Sequence, residues 1–484
     1  MYLGIDLGTS GLKAILMSGT GDISHSVTEP LSVSRPKTLW SEQNPEDWWL
    51  ALDSAMRSLG EQTDLTQIQA IGLSGQMHGA TLLDADGQIL RPAILWNDGR
   101  CASQCEQIER EVPKAREITG NIVMPGFTAP KLLWVKQNEP ECFDKIAKVL
   151  LPKDYLRYRL SGDFAADMSD AAGTAWLNVE TRTWDDALLN ACGLTEAQMP
   201  TLFEGCQVTG MLSEELAESW GMKGVPIVAG AGDNAAGAIG VGLVESGQAM
   251  LSLGTSGVYF AVSDGFSSNP DSAVHSFCHA LPNKWHLMSV VLSAANCLQW
   301  FADSIAKQPL TELLQQLEQT DIDEASTPYF LPYLSGERTP HNNPNAQGVF
   351  FGMTHETTNL HLLHAVMEGV SFAFKDGATA LHQAAGVPNS ITLIGGGSRS
   401  SYWRQLLSDV LDLPLECREG GEVGPALGAA RLAMLSQKTE LTLLDVCPVP
   451  PLKEIHQPNI QRNALFNKRY ETFRKLYEQL QDLF

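Results

Sequence analysis

One phrase occurs twice in this chain, at its start and again just past its middle. Residues 6–16 read DLGTSGLKAIL and residues 252–262 read SLGTSGVYFAV. In each copy, β-rich residues flank a Gly-Thr-Ser-Gly turn, the pattern of a hairpin whose tip presents backbone N–H groups and hydroxyls. A repeat at about half the chain length signals duplication of a whole domain, because stacked small units recur at periods of about 20 to 50 residues. At 484 residues the chain is too long for one hydrophobic core and suits two domains with a cleft between them.

The pattern of apolar residues predicts α/β halves. In the first, YLGIDLG, LKAILM and ISHSV read as a three-strand meander, and NPEDWWLALDSAMRSLG has helical spacing. IQAIGLSGQMHGATLLDADGQIL follows as two strands with a turn at Asp86-Gly87. VPIVAGAG is a strand ending at Asp233, and the small-residue run NAAGAIGVG leads out of the half as a helix and interdomain connection. The second half repeats the order: a hairpin near 250–262, a helix around 291–306, and the strand-turn-helix SITLIGGGSRSSYWRQLLSDVL. The later GGEVGPALGAARLAML has the same small-residue habit. The boundary is placed between 1–243 and 244–484, with 460–484 an amphipathic C-terminal helix expected to pack back on the first domain.

Charge narrows the ligands. The net charge is -23, from 33 Lys+Arg against 56 Asp+Glu, which repels nucleic acid and anionic membrane surfaces. A phosphate-bearing ligand must therefore be held locally, by backbone N–H groups, a metal ion and a few basic side chains. The N-terminus reads as a strand, and apolar stretches break well short of the ~20 residues that span a bilayer, so a cytoplasmic protein is expected. Nine cysteines without a C-x-x-C pair read as reduced thiols. His275, Cys278 and His279 in HSFCH come nearest to a metal cluster but lack a matching second half.

No Gly-Lys dipeptide occurs, which excludes a P-loop, and the H-R-D and D-F-G signatures of protein kinases are absent. GAGDNAAGAIGVG resembles a dinucleotide fingerprint only superficially, since it would turn an Asp toward pyrophosphate. What remains is the hairpin pair. Either alone is a common glycine turn, but as a duplicated pair they suit a polyphosphate: Thr9 and Ser10 supply donors on one side, and the neutral Gly254-Thr255-Ser256 clamp faces them. Asp6 makes sense beside phosphate if Mg²⁺ lies between them, through water. Gly396, Gly397 and Ser398, between a strand and a helix, are assigned to adenosine. Asp233 stands where a strand stops and a helix starts, a position expected to project into the cleft and resist burial. It reads as a general base or as a helix cap. Gln76, Met77 and His78 in SGQMHG, Asp98 and Arg100 in WNDGR, and Asn234 mix donors and acceptors as a polyhydroxylated ligand requires.

These residues resemble the FGGY family of carbohydrate kinases over essentially the whole chain. The resemblance is carried by GIDLGTSGLK, SGQMHGATLLD, LWNDGR, PGFTAPKLLWVKQN, LPKDYLRYRL, GDNAAGAIGVG, LSLGTSGVYF, LPYLSGERTPHNNP and LIGGGSRSSYWRQ. It implies two actin-like, ribonuclease H-like ATPase domains that close over a cleft, with ATP and Mg²⁺ as cofactors and a homodimer as the assembly. It further implies that Asp233 is the base, that Met77 and His78 contact the sugar, that Asp6 serves the metal, and that Gly254, Thr255 and the Gly396 region bind ATP. SGQMHG and WNDGR favour D-xylulose over the ribulose, fuculose, rhamnulose, gluconate and glycerol used elsewhere in the family. The rival reading from another class is an actin-like or chaperone-like ATPase, which has no need of a sugar pocket.

Overall fold

The computed structural model describes residues 1–419 and 424–484; residues 420–423, which open the GGEVGPALGAARLAML run, lie outside the described residues. Two seven-stranded mixed sheets organise the chain. In the first, Tyr2–Leu7 pairs antiparallel with Gly11–Met17 and parallel with Ala70–Gly75, placing Asp6 beside Ser74. In the second, Ala249–Leu253 pairs antiparallel with Gly257–Ser263 and parallel with Ile391–Ile394, placing Ser252 beside Ile394. The same unit, a hairpin with a parallel neighbour, is thus built twice, as a duplication requires.

Local chemistry explains the elements. Tyr2–Leu7 is buried along nearly its whole length because helices cover both faces of its sheet, whereas Ile23–Pro30 at the edge alternates between exposed and half-buried residues. The helix Pro45–Gln62 starts at Asn44, whose side chain accepts from the Glu46 N–H, and buries Trp48, Leu52, Met56 and Leu59 along one stripe. All nine cysteines are unpaired. Among the described residues no helix is long and apolar enough to cross a membrane, and no cluster of three or more His, Cys, Asp or Glu could hold a metal.

Two expectations fail. The helix expected from 291 begins at Asn296 and widens into a π-helical turn at Phe301–Ala306, because Trp285–Val291 is taken into the second sheet by its pairing with Gly257–Ser263. The C-terminal helix Ile460–Leu480 does not return to the first domain. It sinks Phe466, Phe473 and Tyr477 into the core of the second, where Arg469 pairs with Glu368 at 2.5 Å.

The helix that does return is Pro425–Gln437, packed on Tyr2–Leu7, Ala70–Gly75 and the helix Asp233–Gly240. Contact is backbone to backbone: a Cβ added at Gly4, Gly72 or Gly428 would overlap the carbonyl oxygens of Ala426, Ala429 and Ala236. Elsewhere the halves are tied by polar bonds, with Asn121 Nδ2 donating to Ser276 O at 2.8 Å and Trp285 Nε1 to Val179 O at 2.7 Å. One apolar core runs across both, joining Met77 and Phe127 to Phe260 and Phe277.

Candidate active site

Two carboxylates meet at one end of the first sheet. Asp6 is the penultimate residue of its strand, and Asp233 follows the short strand Ala231–Gly232, which pairs with Ser74 and Gly75 on the strand between them. Burial pushes Asp6 up to about 6, opposed by Ser74 and Lys13, and its Oδ1 is buried without a hydrogen-bond partner. Asp233 is pushed further, to about 7, by burial and then by the charge of Asp6. Its Oδ1 accepts from Asn234 N at 2.7 Å and Asn234 Nδ2 at 2.9 Å. Asp233 is therefore mostly enclosed, not the exposed carboxylate expected. It is also the first residue of its helix and not its cap, which is Gly232. Asn234 is occupied in orienting it.

At the first hairpin the expected roles change. The Thr9 hydroxyl donates to Gln76 Oε1 at 2.9 Å and accepts from Trp96 Nε1 at 3.0 Å, so it has no proton to offer a phosphate. Gln76 is not a sugar ligand. It is buried, its Nε2 donates to Gln43 Oε1 at 2.9 Å, and Gln43 Nε2 in turn donates to Thr9 O at 2.8 Å. This ring of amides fixes the turn and leaves its backbone N–H groups and the exposed Ser10 as the groups at the tip.

His78 sits in the left-handed region, φ 69°, held there by its own carbonyl, which accepts from Lys131 Nζ at 3.0 Å and Thr128 Oγ1 at 3.2 Å. That is what the PGFTAPK segment does, a role unreadable from sequence because the partners lie 50 residues apart in the chain. Burial, and then the charge of Lys131, push His78 down to about 3, so the ring is neutral. Its Nδ1 donates to Gly173 O at 2.6 Å, which makes Nε2 the acceptor. Met77 packs on Gly232, next to Asp233.

Asp98 and Arg100 are not a surface pair but are bonded inside the protein. Asp98 accepts from Ser41 N at 2.6 Å and from Arg100 N, Nε and Nη2, while Arg100 also pairs with Glu42 at 2.8 Å and lies 3.6 Å over Trp40. They brace the loop that presents Trp96.

The second hairpin is fixed through its carbonyls, with Ala295 N donating to Gly254 O at 2.8 Å and Ala294 N to Thr255 O at 3.0 Å; the tip residues Thr255 and Ser256 are exposed. Gly395, φ 92°, lets the glycine turn press on this hairpin, since a Cβ there would sit 2.8 Å from Leu253 O. Gly397 likewise packs against Leu253, the residue before Gly254. Gly395 and Ser398, with Arg404, Arg418 and Lys453, line a cavity of about 590 Å³.

Two models of one family cover this architecture: the N-terminal domain of the FGGY family of carbohydrate kinases matches residues 1–240 and the C-terminal domain residues 249–436. The chain belongs to the FGGY family of carbohydrate kinases. It is 59% identical over 480 residues to the xylulose kinase of Escherichia coli, covering 99% of each chain. It is 55% identical to the xylulose kinase of Klebsiella pneumoniae, covering 100% of each. The solved structure of a "xyloylose kinase" from Brucella ovis matches with a TM-score of 0.96 at 45% identity, covering 100% of both chains. The actin-like or chaperone-like ATPase reading is set aside by this membership.

A further part of this FGGY kinase went unread in the sequence. LPKDYLRYRL forms the helix Pro152–Ser161, and its charged residues Lys153, Asp154 and Arg157 lie inside the protein. Lys153 Nζ contacts Asp154 and Asp167 at 2.7 Å and Asp170 at 3.1 Å, all fully buried. Asp167 Oδ2 accepts from Ser169 N and Oγ, and Ser169 Oγ accepts from Gly232 N at 3.1 Å. Arg157 donates to Ala229 O on the same segment. A buried ionic block thus grips the backbone immediately before Asp233. Only a charge at helical spacing could have hinted at it, and such charges usually face water.

Proposed function

We propose that the protein transfers the γ-phosphoryl group of ATP to the C5 hydroxyl of D-xylulose, giving ADP and D-xylulose 5-phosphate. The observation that carries this is the enclosed carboxylate pair. Asp233 has its affinity for a proton raised into the neutral range, which suits it to accept the hydroxyl proton while the oxygen lines up with the γ-phosphate. The choice of sugar rests on the xylulose kinases of Escherichia coli and Klebsiella pneumoniae, similar along their whole length.

In this reading, residues 1–243 carry the sugar, the base and the metal site, and 244–484 carry the nucleotide. Met77 and the Nε2 acceptor of His78 orient the sugar, and Asn234 holds Asp233. Ser10, the N–H groups beside it, Gly254 and Thr255 grip the phosphates, while Gly396, Gly397 and Ser398 receive adenosine. The residues fit Mg²⁺: the unpartnered, buried Asp6 Oδ1 faces a second carboxylate, an arrangement that a cation relieves. Bound with the nucleotide through water on Asp6, Mg²⁺ would neutralise phosphate charge. Closure of the halves excludes water from the transfer. A cytoplasmic homodimer belongs to the same reading, in keeping with nine unpaired thiols; light scattering tests the assembly.

The test is a coupled ADP-release assay across D-xylulose, L-xylulose, D-ribulose, L-ribulose, glycerol and gluconate. Highest kcat/KM on D-xylulose is expected. Highest kcat/KM on any other sugar overturns the substrate assignment.

A further inference from the structure

The SGERTP segment lies in the second half and is pinned to the edge of its sheet. Thr339 Oγ1 donates to Ala273 O at 3.0 Å and accepts from Val290 N at 3.1 Å, and Glu337 Oε1 accepts from Leu292 N at 3.0 Å. From this support Arg338 reaches an interdomain cavity of about 810 Å³, whose opposite wall includes Trp96, Asp98 and Gly126 of the first half.

Among the described residues the Arg338 guanidinium makes no hydrogen bond or ion pair. Of the carboxylates around the cavity, Asp98 is engaged by Ser41 N and Arg100 and Glu109 by Arg116 and Val123 N, while Glu106 is exposed to solvent. Glu337 is 2% exposed and its Oε2 has no partner. A half-buried guanidinium without an acceptor is costly unless a ligand supplies one. The position of Arg338 says which part of the ligand that is. Its charge acts on His78 and His275, and the cavity wall opposite it includes Gly126, whose carbonyl shares Lys131 Nζ with that of His78. Arg338 therefore belongs to the His78 side of the cleft, the sugar end in the reading above.

Chemistry completes the argument, resting on the pentulose reading above. A 2-ketopentose phosphorylated on its C5 oxygen must bind in open-chain form, because the furanose ring would use that same oxygen. Its C2 carbonyl then stands free, three carbons from the reacting end, and needs a strong donor. We propose that Arg338 donates to this carbonyl oxygen, so that the second domain reads the ketone while the first holds the base.

The experiment uses the full chain. kcat and KM are measured for D-xylulose and for its reduced analogues xylitol and D-arabinitol, in wild type, Arg338→Met and Arg338→Lys. A hydrogen bond from a charged donor predicts that Arg338→Met raises the KM for D-xylulose about 10- to 100-fold, leaves the KM for ATP within about twofold, and erases the preference for ketose over alditol. Arg338→Lys retains part of that preference, and provides the comparison if the Met variant does not fold. An unchanged ketose-to-alditol ratio in the folded variants, or a rise in the KM for ATP in place of that for sugar, overturns the role of Arg338. Wild-type protein that does not turn over D-xylulose instead overturns the substrate reading, and the proposal with it.

Discussion

Asp233 illustrates how one side chain ties reactivity to stability. With its pKa near 7 in the folded protein and 3.8 as an ordinary carboxyl, it holds its proton longer when folded. Its contribution therefore favours the fold at low pH and is lost as pH rises through 7. Asp233→Asn should lower kcat about 10²- to 10⁴-fold. The same variant should melt higher than wild type at pH 8, by on the order of 2 kcal/mol in stability, and no higher at pH 4, as read by calorimetry. For wild type, kcat/KM should fall about tenfold per pH unit below 7, as the base is protonated. Gln76 makes a contrasting case. Because it braces Thr9, Gln76→Leu should lower kcat/KM for ATP about tenfold while the KM for sugar stays within about twofold, measured in the same coupled assay. The meeting of Asp6 and Asp233 at one end of the first sheet was legible, because each stands at a strand end within a local pattern. The sequence did not show the bonds that Gln76, Asp98 and Arg100 make inside the protein, because their partners Gln43, Ser41 and Glu42 are brought near only by folding.

Among the elements, the helix Pro152–Ser161 and the turn Asp167–Ser169 act as a clamp on the strand end before Asp233. Ser169→Ala removes the hydroxyl's bonds to Gly232 N and to Asp167 and should lower kcat about tenfold with both KM values unchanged, while the melting temperature drops by several degrees. Lys153→Met leaves the buried carboxylates Asp167 and Asp170 without their cation, with Asp154 keeping Arg157, and should cost about 3–5 kcal/mol, read as loss of soluble protein or a lowered denaturation midpoint. Strands and capped helices were readable from periodicity, as Pro45–Gln62 shows. The destination of a helix was not. Amphipathic residues in Ile460–Leu480 state only that one face is buried, and Phe466 and Phe473 found the second core. The glycines and alanines of Pro425–Gln437 carry no stripe at all, yet they permit the closer contact.

At the scale of the molecule, the first domain is finished by the second half of the chain. Gly72→Ala and Gly428→Ala should each cost on the order of 3 kcal/mol, since the added methyl meets backbone carbonyls that cannot turn away; thermal unfolding checks this. The order of synthesis follows from the same helix. A ribosome releases Tyr2–Leu7 first, but the covering for that strand arrives only after residue 437 has been made, so the opening half waits, its glycine face bare, for most of translation. Severed at residue 243, that half should aggregate alone and be rescued by co-expression of 244–484, which makes the last quarter of the polypeptide a built-in escort for its first.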